Sequence, residues 1–235
     1  MNQLVLSQLA IASSEATEFL NIAGIEFPSE LITMWILMAV LVILSIVGTR
    51  NMQRIPKGLQ NILEYGVSAL ENFFADLMGV KRARKYLPFL MTFFLFILIS
   101  NYSGLLPMAG HLPGLKPPTS NVNVTGTLAV IVALSLFYFG IKEKGMGYFK
   151  HFVSPVPVLL PINILETFTR PLSLALRLFG NIYGEEMVVA VLLGLMPILL
   201  PLPIQVLGVL FGAVQAFVFT LLAAIYIEEA TAHEH

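Results

Sequence analysis

The sequence contains 235 residues, of which 57% are hydrophobic, and it contains no cysteine. Only 11% of its residues are charged, whereas an ordinary soluble domain has about 25%. The 13 basic and 14 acidic residues nearly cancel, which excludes a basic nucleic-acid-binding surface. The lack of cysteine excludes disulfides and thiolate metal sites. With a mean hydropathy of +0.84, the composition predicts a polytopic helical membrane protein.

Five apolar blocks are long enough to cross a hydrocarbon core of about 30 Å. They are Leu31–Val47, Leu87–Leu106, Val124–Ile141, Ile162–Leu195 and Ile204–Ile227. We therefore predict an all-α fold with about five membrane-crossing helices. All of 1–235 is expected to form one membrane domain, with residues 1–30 outside, a first span at 31–48, second and third spans within 87–141, and a helical hairpin over 162–228.

The basic residues predict which side each loop occupies. Ten of them follow the first or third block: Arg50, Arg54, Lys57, Lys81, Arg82, Arg84, Lys85, Lys142, Lys144 and Lys150. Lys116 is the one basic residue between the second and third blocks. Under the positive-inside rule the N-terminus is outside and the C-terminus is cytoplasmic. We expect the membrane to be a bacterial inner membrane. His111 lies in the proline-rich outer loop, where it either faces solvent or lies at a proton entrance.

Residues 57–80 have apolar side chains at helical spacing, opposite a polar face that includes Glu64, Glu71 and Asp76. This pattern predicts an amphipathic helix at the membrane boundary. Helices that lie on lipid usually have a basic polar face, and this one is acidic. The pattern therefore favours packing against a protein partner, with a simple interfacial connector as the alternative.

The fourth block is longer than a membrane span. If Asn163 caps its helix and Glu166 completes a capping box, the helix has about 30 residues and a length of about 45 Å. Ordinary helix tilts do not absorb that excess over a 30 Å core. We expect the fourth and fifth blocks to form a steeply inclined hairpin, with Pro197, Pro201 and Pro203 in the turn between them.

This fourth block also contains the ionisable residues that interrupt apolar sequence: Glu166, Arg170, Arg177, Glu185 and Glu186. Charges within a membrane are costly and usually face a protein interior or an ion path. At about 100° per residue, Arg170, Glu166, Asn181 and Glu185 fall within about 80° of Arg177. Glu186 falls on the opposite side of the helix. One stripe of the helix therefore has a permanent positive charge.

Small residues surround Arg177 on its own face, namely Ser173, Gly180 and Gly184. Small side chains allow another helix to approach closely in lipid. We interpret this face as a contact with a neighbouring helix, and the alternative is a static ion pair of Arg177 with Glu166 or Glu185. Gln215, the one strongly polar residue in the middle of the fifth block, is a candidate partner for Arg177. Tyr226 lies on nearly the same side of that block as Gln215.

Four segments carry a family resemblance. The run RPLSLALRLFGN, from Arg170 to Asn181, followed by Tyr183 and Glu186, closely resembles the signature of subunit a of the F-type ATP synthase. The segments NYSGLLP (101–107), PTSNVNVT (118–125) and QAFVF (215–219) resemble motifs in three other spans of that family. The resemblance covers most of the chain from about residue 86 onward.

The resemblance implies a function. The protein would be the proton-translocating stator subunit, with two aqueous half-channels and an arginine that drives deprotonation and reprotonation of c-ring carboxylates. Arg177 matches that essential arginine. The implied partners are the c-ring subunits, the peripheral-stalk b subunits, the rest of the F1Fo complex, the lipid bilayer and the transported H⁺, with Na⁺ as the less favoured ion. No cofactor or metal is implied.

The resemblance also implies residues along the proton path. Asn181, Glu186 and Gln215 match polar positions near the arginine or lining the half-channels, and Glu166 resembles a glutamate near the cytoplasmic half-channel. The remaining candidates are Glu185, Tyr226, Asn121 and Asn123. Two positions depart from the pattern. Asn121 stands where many members have Asp, and Gly208 where some have His, so the outer path is expected to rely more on Glu186 and water.

Two rival functions differ in what they require. A secondary ion transporter favours internal repeats around a midplane site, and the sequence shows no corresponding halves. A passive membrane anchor for the peripheral stalk leaves Arg177 and Glu186 without a role. The sequence contains no phosphate-binding glycine loop and no Ser/His/Asp set. We therefore expect a non-catalytic subunit with no catalytic site of its own.

Overall fold

The computed structural model describes residues 19–22, 25–50, 58–105, 116–148, 160–195 and 201–232. Two strands, β1 (Phe19–Ile22) and β2 (Ile25–Pro28), pair antiparallel with Phe19 opposite Pro28. The helices are α1 (Ser29–Thr49), α2 (Leu59–Met78), α3 (Val80–Ser103), α4 (Val122–Lys144), α5 (Leu160–Leu195) and α6 (Pro201–Thr231). Short 3-10 turns lie at Pro118–Ser120 and Gly145–Gly147.

The predicted fold class is confirmed, because the described residues are almost all helical. Five helices, namely α1, α3, α4, α5 and α6, are long and apolar enough to cross a membrane. The protein is therefore a multi-span membrane protein. The sequence did not predict the small hairpin before α1. His111 and Pro197 lie outside the described residues.

The core of the bundle forms where α3 and α6 pack against each other. Their small and aromatic residues interlock, and the Phe93 and Phe219 rings stack with centroids 5.9 Å apart. Ala216, Ala223 and Ala224 of α6 are fully buried, because alanine lets two helix backbones approach closely in lipid. Helix α4 packs against both α5 and α6, and α5 packs against α6. The long hairpin α5–α6 is therefore held by the shorter spans.

The predicted amphipathic helix is confirmed as α2, and it meets the bundle mainly at its C-terminal end. Phe74 and Met78 are buried there, and the Phe73 ring lies 4.9 Å from the Phe217 ring of α6. Toward the N-terminal end, Ile62 and Leu63 remain exposed. Part of the apolar face of α2 is thus left for lipid or for a partner subunit.

The boundaries of α5 and α6 correct the sequence prediction. Helix α5 begins at Leu160 and has 36 residues, so Asn163 lies within the helix and is not its N-cap. Helix α6 begins at Pro201, so Pro201 and Pro203 start the helix instead of forming the turn. Proline is tolerated there because the first helical N–H groups have no partner inside the helix. At 1.5 Å per residue α5 is about 54 Å long, which strengthens the argument for a strong tilt in a 30 Å core.

Most charged contacts of the described residues gather at one end of the bundle. Glu143 of α4 accepts hydrogen bonds from Lys85 and Tyr86 of α3. Arg82 of α3 pairs with Glu228 of α6 at 3.6 Å. Arg82, Lys85 and Lys144, which follow the first and third apolar blocks, therefore lie on one side of the bundle, as the sequence predicted for them. We call this the charged end, and its cytoplasmic location stays a prediction.

At the opposite end, a buried hydrogen-bond network joins three elements. The Asn101 side chain on α3 donates to the Gly212 carbonyl of α6 at 3.0 Å. It also accepts from the Thr119 hydroxyl of the 118–120 turn at 2.8 Å. A buried amide that uses both its donor and its acceptor fixes geometry, because any displacement leaves polar groups without partners. Asn101 therefore fixes the position of α6 three residues before Gln215.

We predict that Asn101→Leu lowers the free energy of unfolding by about 1 to 2 kcal/mol, because it removes two buried hydrogen bonds inside the membrane domain. Thermal denaturation of the purified protein in detergent measures this. The matched control is Thr92→Val, which removes an exposed hydroxyl that bonds only the Pro88 carbonyl of its own helix. Equal melting temperatures for the two variants would show that the Asn101 hydrogen bonds do not stabilise the fold.

Candidate functional site

Arg177 lies near the middle of α5 on a surface that no described element covers. Its side chain is exposed, as are those of Ser173 and Gly180 beside it. On the other side of the helix, Leu174 and Leu178 are buried against the bundle. No described residue forms a hydrogen bond or ion pair with Arg177. The static ion pairs with Glu166 or Glu185 considered above are absent from the described part of the chain.

Gln215 pairs with Asn181 and not with Arg177. The Asn181 amide donates to the Gln215 side-chain oxygen at 2.7 Å. Gln215 is only 4% exposed, and its own amide nitrogen has no partner among the described residues. Asn181 follows Arg177 by one helical turn, so this bond ties the arginine-bearing surface of α5 to the interior of α6. The unpaired N–H group is suited to a water molecule or an acceptor from outside the chain.

The Glu185 carboxylate packs against Gly208 of α6. A Cβ atom added at Gly208 would overlap the carboxylate oxygen and carbon of Glu185. Gly208 is buried, and its missing side chain provides the space for the carboxylate. Gly208 is one of the two positions that depart from the motif described above. The Glu185 carboxylate occupies the space that a side chain at position 208 would fill.

Glu186 points toward a different element. Its carboxylate lies within hydrogen-bonding reach of the Ser120 side chain, in the turn before α4, and close to Lys116 and Glu30. The carboxylate is half-buried. Adjacent glutamates on one helix thus face two different surroundings, since neighbouring residues on a helix point about 100° apart. Together they form an acidic group at the end of the bundle opposite the charged end.

Asn121 and Asn123 lie at the start of α4 beside this acidic group. The Asn121 side chain accepts from the Asn123 backbone N–H at 2.9 Å, as an N-cap does. The Asn123 carbonyl accepts from Thr127, and the Asn123 side chain is exposed. The contacts of Asn121 account for it as a helix cap. It also fixes the turn that places Ser120 next to Glu186.

A second cluster lies at the charged end of α5. Arg170 donates to Glu229 of α6 at 2.5 and 3.2 Å and to Glu166 at 2.8 Å. Its guanidinium also lies 5.3 Å from the centre of the Tyr226 ring. Tyr148 lies close by, and burial raises the pKa of its hydroxyl above the ordinary value. We call Glu166, Arg170, Tyr226 and Glu229 the inner cluster.

A cavity of about 160 Å³ adjoins the inner cluster, between α4, α5 and α6. Its polar lining includes Asn163, Thr167 and the Tyr148 ring, together with the members of the inner cluster. A polar cavity of this size has room for several water molecules. The sequence had no signal for this space, because its walls come from segments distant along the chain.

The predicted site residues thus fall into three levels along α5. Glu185 and Glu186 lie about 13 Å beyond Arg177 along the helix axis, and the inner cluster lies about 10 Å before it. The contacts of Glu229, Ser120 and Tyr148 with these candidate residues were not predicted from the sequence. The acidic pair that directly follows the last apolar block was the only signal for Glu229. Among the described residues, no group of three potential ligands could hold a metal ion.

A comparison with known families supports the resemblance that the sequence motifs indicated. The family model described as ATP synthase A chain matches residues 31–228. The match covers α2 to α5, nearly all of α1 and α6, and each candidate residue that the sequence suggested. It ends one residue before Glu229.

Proposed function

The chain belongs to the ATP synthase A chain family, and from this premise we propose that Arg177 is the residue through which it moves protons. The family identifies the chain as a proton-translocating stator subunit of the membrane sector of ATP synthase. The observation that supports a role for Arg177 is its position. It is an exposed, unpartnered guanidinium, among the described residues, on a helix that crosses the membrane.

A fixed arginine suits this task because it never gives up its proton. It attracts a carboxylate on a passing ring of c subunits without accepting a proton from it. At about 4 Å and an effective dielectric constant of about 20, the attraction is about 4 kcal/mol. That energy lowers the pKa of the ring carboxylate by up to about three. A ring carboxylate would therefore release its proton on reaching Arg177.

The same charge separates two aqueous paths. A proton that enters from one side is repelled by the guanidinium and cannot pass directly to the other side. It crosses only by binding to the ring and travelling with it. Each crossing then yields about 2.3 kcal/mol per 100 mV of membrane potential, and this energy drives rotation and ATP synthesis.

The outer half-channel would run past Glu186 and Glu185. Lys116 and Ser120 lie near Glu186 at the end of the bundle away from the charged end. Glu185 lies in the α5–α6 contact, against Gly208. From there the Asn181–Gln215 pair leads toward the level of Arg177. Asn121 and Asn123 contribute to this path by shaping the turn beside Glu186.

The inner half-channel would use the cavity at the charged end. Glu166 and Tyr226 line it, and both had been suggested by the sequence. This cavity has polar groups in its wall and room for several water molecules. A proton that leaves the ring at the level of Arg177 could pass through such water to the aqueous side. The cytoplasmic location of this end follows from the positive-inside rule.

The remaining elements have roles in assembly. The inclined hairpin α5–α6 would face the c-ring with the exposed side of α5. Helix α2, with its exposed apolar residues and acidic polar face, would contact the b subunits of the peripheral stalk. We propose H⁺ as the transported ion and a bacterial inner membrane as the location, with the N-terminus outside.

We predict that Arg177→Ala abolishes proton-driven ATP synthesis by the reconstituted complex. Arg177→Lys is expected to fail as well, because an ammonium can lose its proton and lacks the planar guanidinium fork. ATP formation in vesicles under an imposed pH gradient measures both. The Ala variant is also expected to show a passive proton leak. Synthesis at the parent rate by either variant would refute the role of Arg177.

We predict that Glu186→Gln slows proton flux by about tenfold or more, the usual contribution of a positioned acid–base group being 10²–10⁴. Quenching of a pH-sensitive dye in vesicles measures the flux. The control is Ser135→Ala on α4, which removes a hydroxyl that bonds the Ile131 carbonyl of its own helix and is expected to keep the parent flux. Equal flux for both variants would remove Glu186 from the path.

We predict that Gly208→Ala also slows proton flux, by about three- to tenfold, because the added methyl group displaces the Glu185 carboxylate. Folding is expected to change little, since the displaced atoms are the flexible end of a side chain. The control is Gly126→Ala, where an added Cβ meets open space. Parent flux in Gly208→Ala would show that the position of Glu185 is unimportant.

A further inference from the structure

Helix α5 has two arginines on nearly the same face. Arg170 precedes Arg177 by seven residues, which is about 20° of rotation and about 10 Å along the helix. Both are permanently charged. Helix geometry alone therefore presents two equivalent cations to a ring passing this surface, whereas the proposed mechanism needs one.

The structure distinguishes the two arginines by their partners. Arg170 donates to Glu229 through both terminal nitrogens and to Glu166 through one of them. Its guanidinium also lies over the Tyr226 ring. Arg177 has no such contact with any described residue. Arg170 is thus drawn to α6 and its charge is more than balanced, while the charge of Arg177 is free.

Glu229 is itself held in place by other helices. Its backbone carbonyl accepts from Lys144 of α4 at 3.4 Å. The neighbouring Glu228 pairs with Arg82 of α3. These contacts anchor the end of α6 to two other spans. Glu229 therefore has a position set by the bundle, and Arg170 turns toward it.

Glu166 is the weaker of the two carboxylate partners. It lies four residues before Arg170 on the same helix, and such pairs contribute little to the stability of a helix. Its side chain is also half exposed. It can follow Arg170 into other rotamers, so it does not set the direction of the guanidinium.

We propose that Glu229 is a positioning residue that keeps Arg170 turned toward α6 and away from the ring-facing surface, so that α5 presents a single free guanidinium. This inference rests on the proposed function. A second free cation about 10 Å from the first would offer ring carboxylates another place to rest. Rotation would slow, because each carboxylate would have to leave two attractive positions instead of one.

The alternative is that the Arg170–Glu229 pair merely ties α5 to α6. The two ideas differ in the effect of removing Arg170. If the pair is only a tie, loss of either partner breaks it equally. If Glu229 restrains a harmful charge, losing Glu229 is more damaging than losing Arg170, and losing both is less damaging than losing Glu229 alone.

The experiment uses the whole ATP synthase in vesicles with Glu229→Gln, Arg170→Gln and the double variant. We expect ATP synthesis in Glu229→Gln to be slower than in Arg170→Gln by about threefold or more. The double variant is expected to match Arg170→Gln. Arg170→Gln as slow as Glu229→Gln, or a double variant with no recovery, would overturn the proposal. So would a parent rate in Glu229→Gln.

A second measurement decides the outcome even if Glu229→Gln assembles poorly. Phenylglyoxal modifies exposed arginine side chains, and mass spectrometry of the purified complex gives the extent of modification at each position. Arg170 is expected to react several-fold faster in Glu229→Gln than in the parent and to return to the parent rate in Glu229→Asp. An unchanged rate at Arg170 would refute the positioning role.

The Arg177→Ala variant in the same experiments separates this inference from the function on which it rests. Retained synthesis in Arg177→Ala would refute the proposed function. Loss of synthesis in Arg177→Ala, together with no recovery in the double variant, would refute the role of Glu229 alone.

Discussion

The cost of an unpaired charge inside a membrane is the constraint on which the rest of this structure depends. A charge in hydrocarbon must be paired, reach water or meet a partner outside the chain. Arg170 is paired within the inner cluster, and Glu186 lies near Ser120 and Lys116. Among the described residues, Arg177 has no carboxylate partner and no hydrogen-bond partner. On the proposed function, an oppositely charged partner outside the chain would cover this surface.

A surface that works against a moving partner must itself stay fixed. Alanine-rich contact between α3 and α6 brings those helices close, and the Asn101 network fixes their relative position near Gln215. Gln215 then holds Asn181, one turn from Arg177. The position of the arginine is in this way coupled to the least exposed part of the bundle. Packing and charge placement are two parts of one design for a rigid stator surface.

The sequence predicted the spans well because a membrane imposes a simple rule of length and apolarity. It made Arg177 a candidate because charge is scarce in those spans, and the role of Arg177 stays a prediction. It failed where contacts join distant segments. Asn163 looks like a helix cap in sequence, yet three earlier residues continue the helix. The pairing of Gln215 with Asn181, and of Arg170 with Glu229, depends on the relative rotation of two helices. That rotation is set by packing and leaves no local pattern.

In the proposed function, the attraction between Arg177 and a ring carboxylate must be neither too weak nor too strong. A ring carboxylate must be attracted strongly enough to lose its proton, and a few kcal/mol suffices for that. It must also leave again on every step, so each further kcal/mol of attraction slows departure by a factor of about five. A helix with two free arginines would shift this balance toward retention. On the proposed function, the pairing of Arg170 with two carboxylates at the charged end would therefore matter as much to the ring-facing surface as the freedom of Arg177.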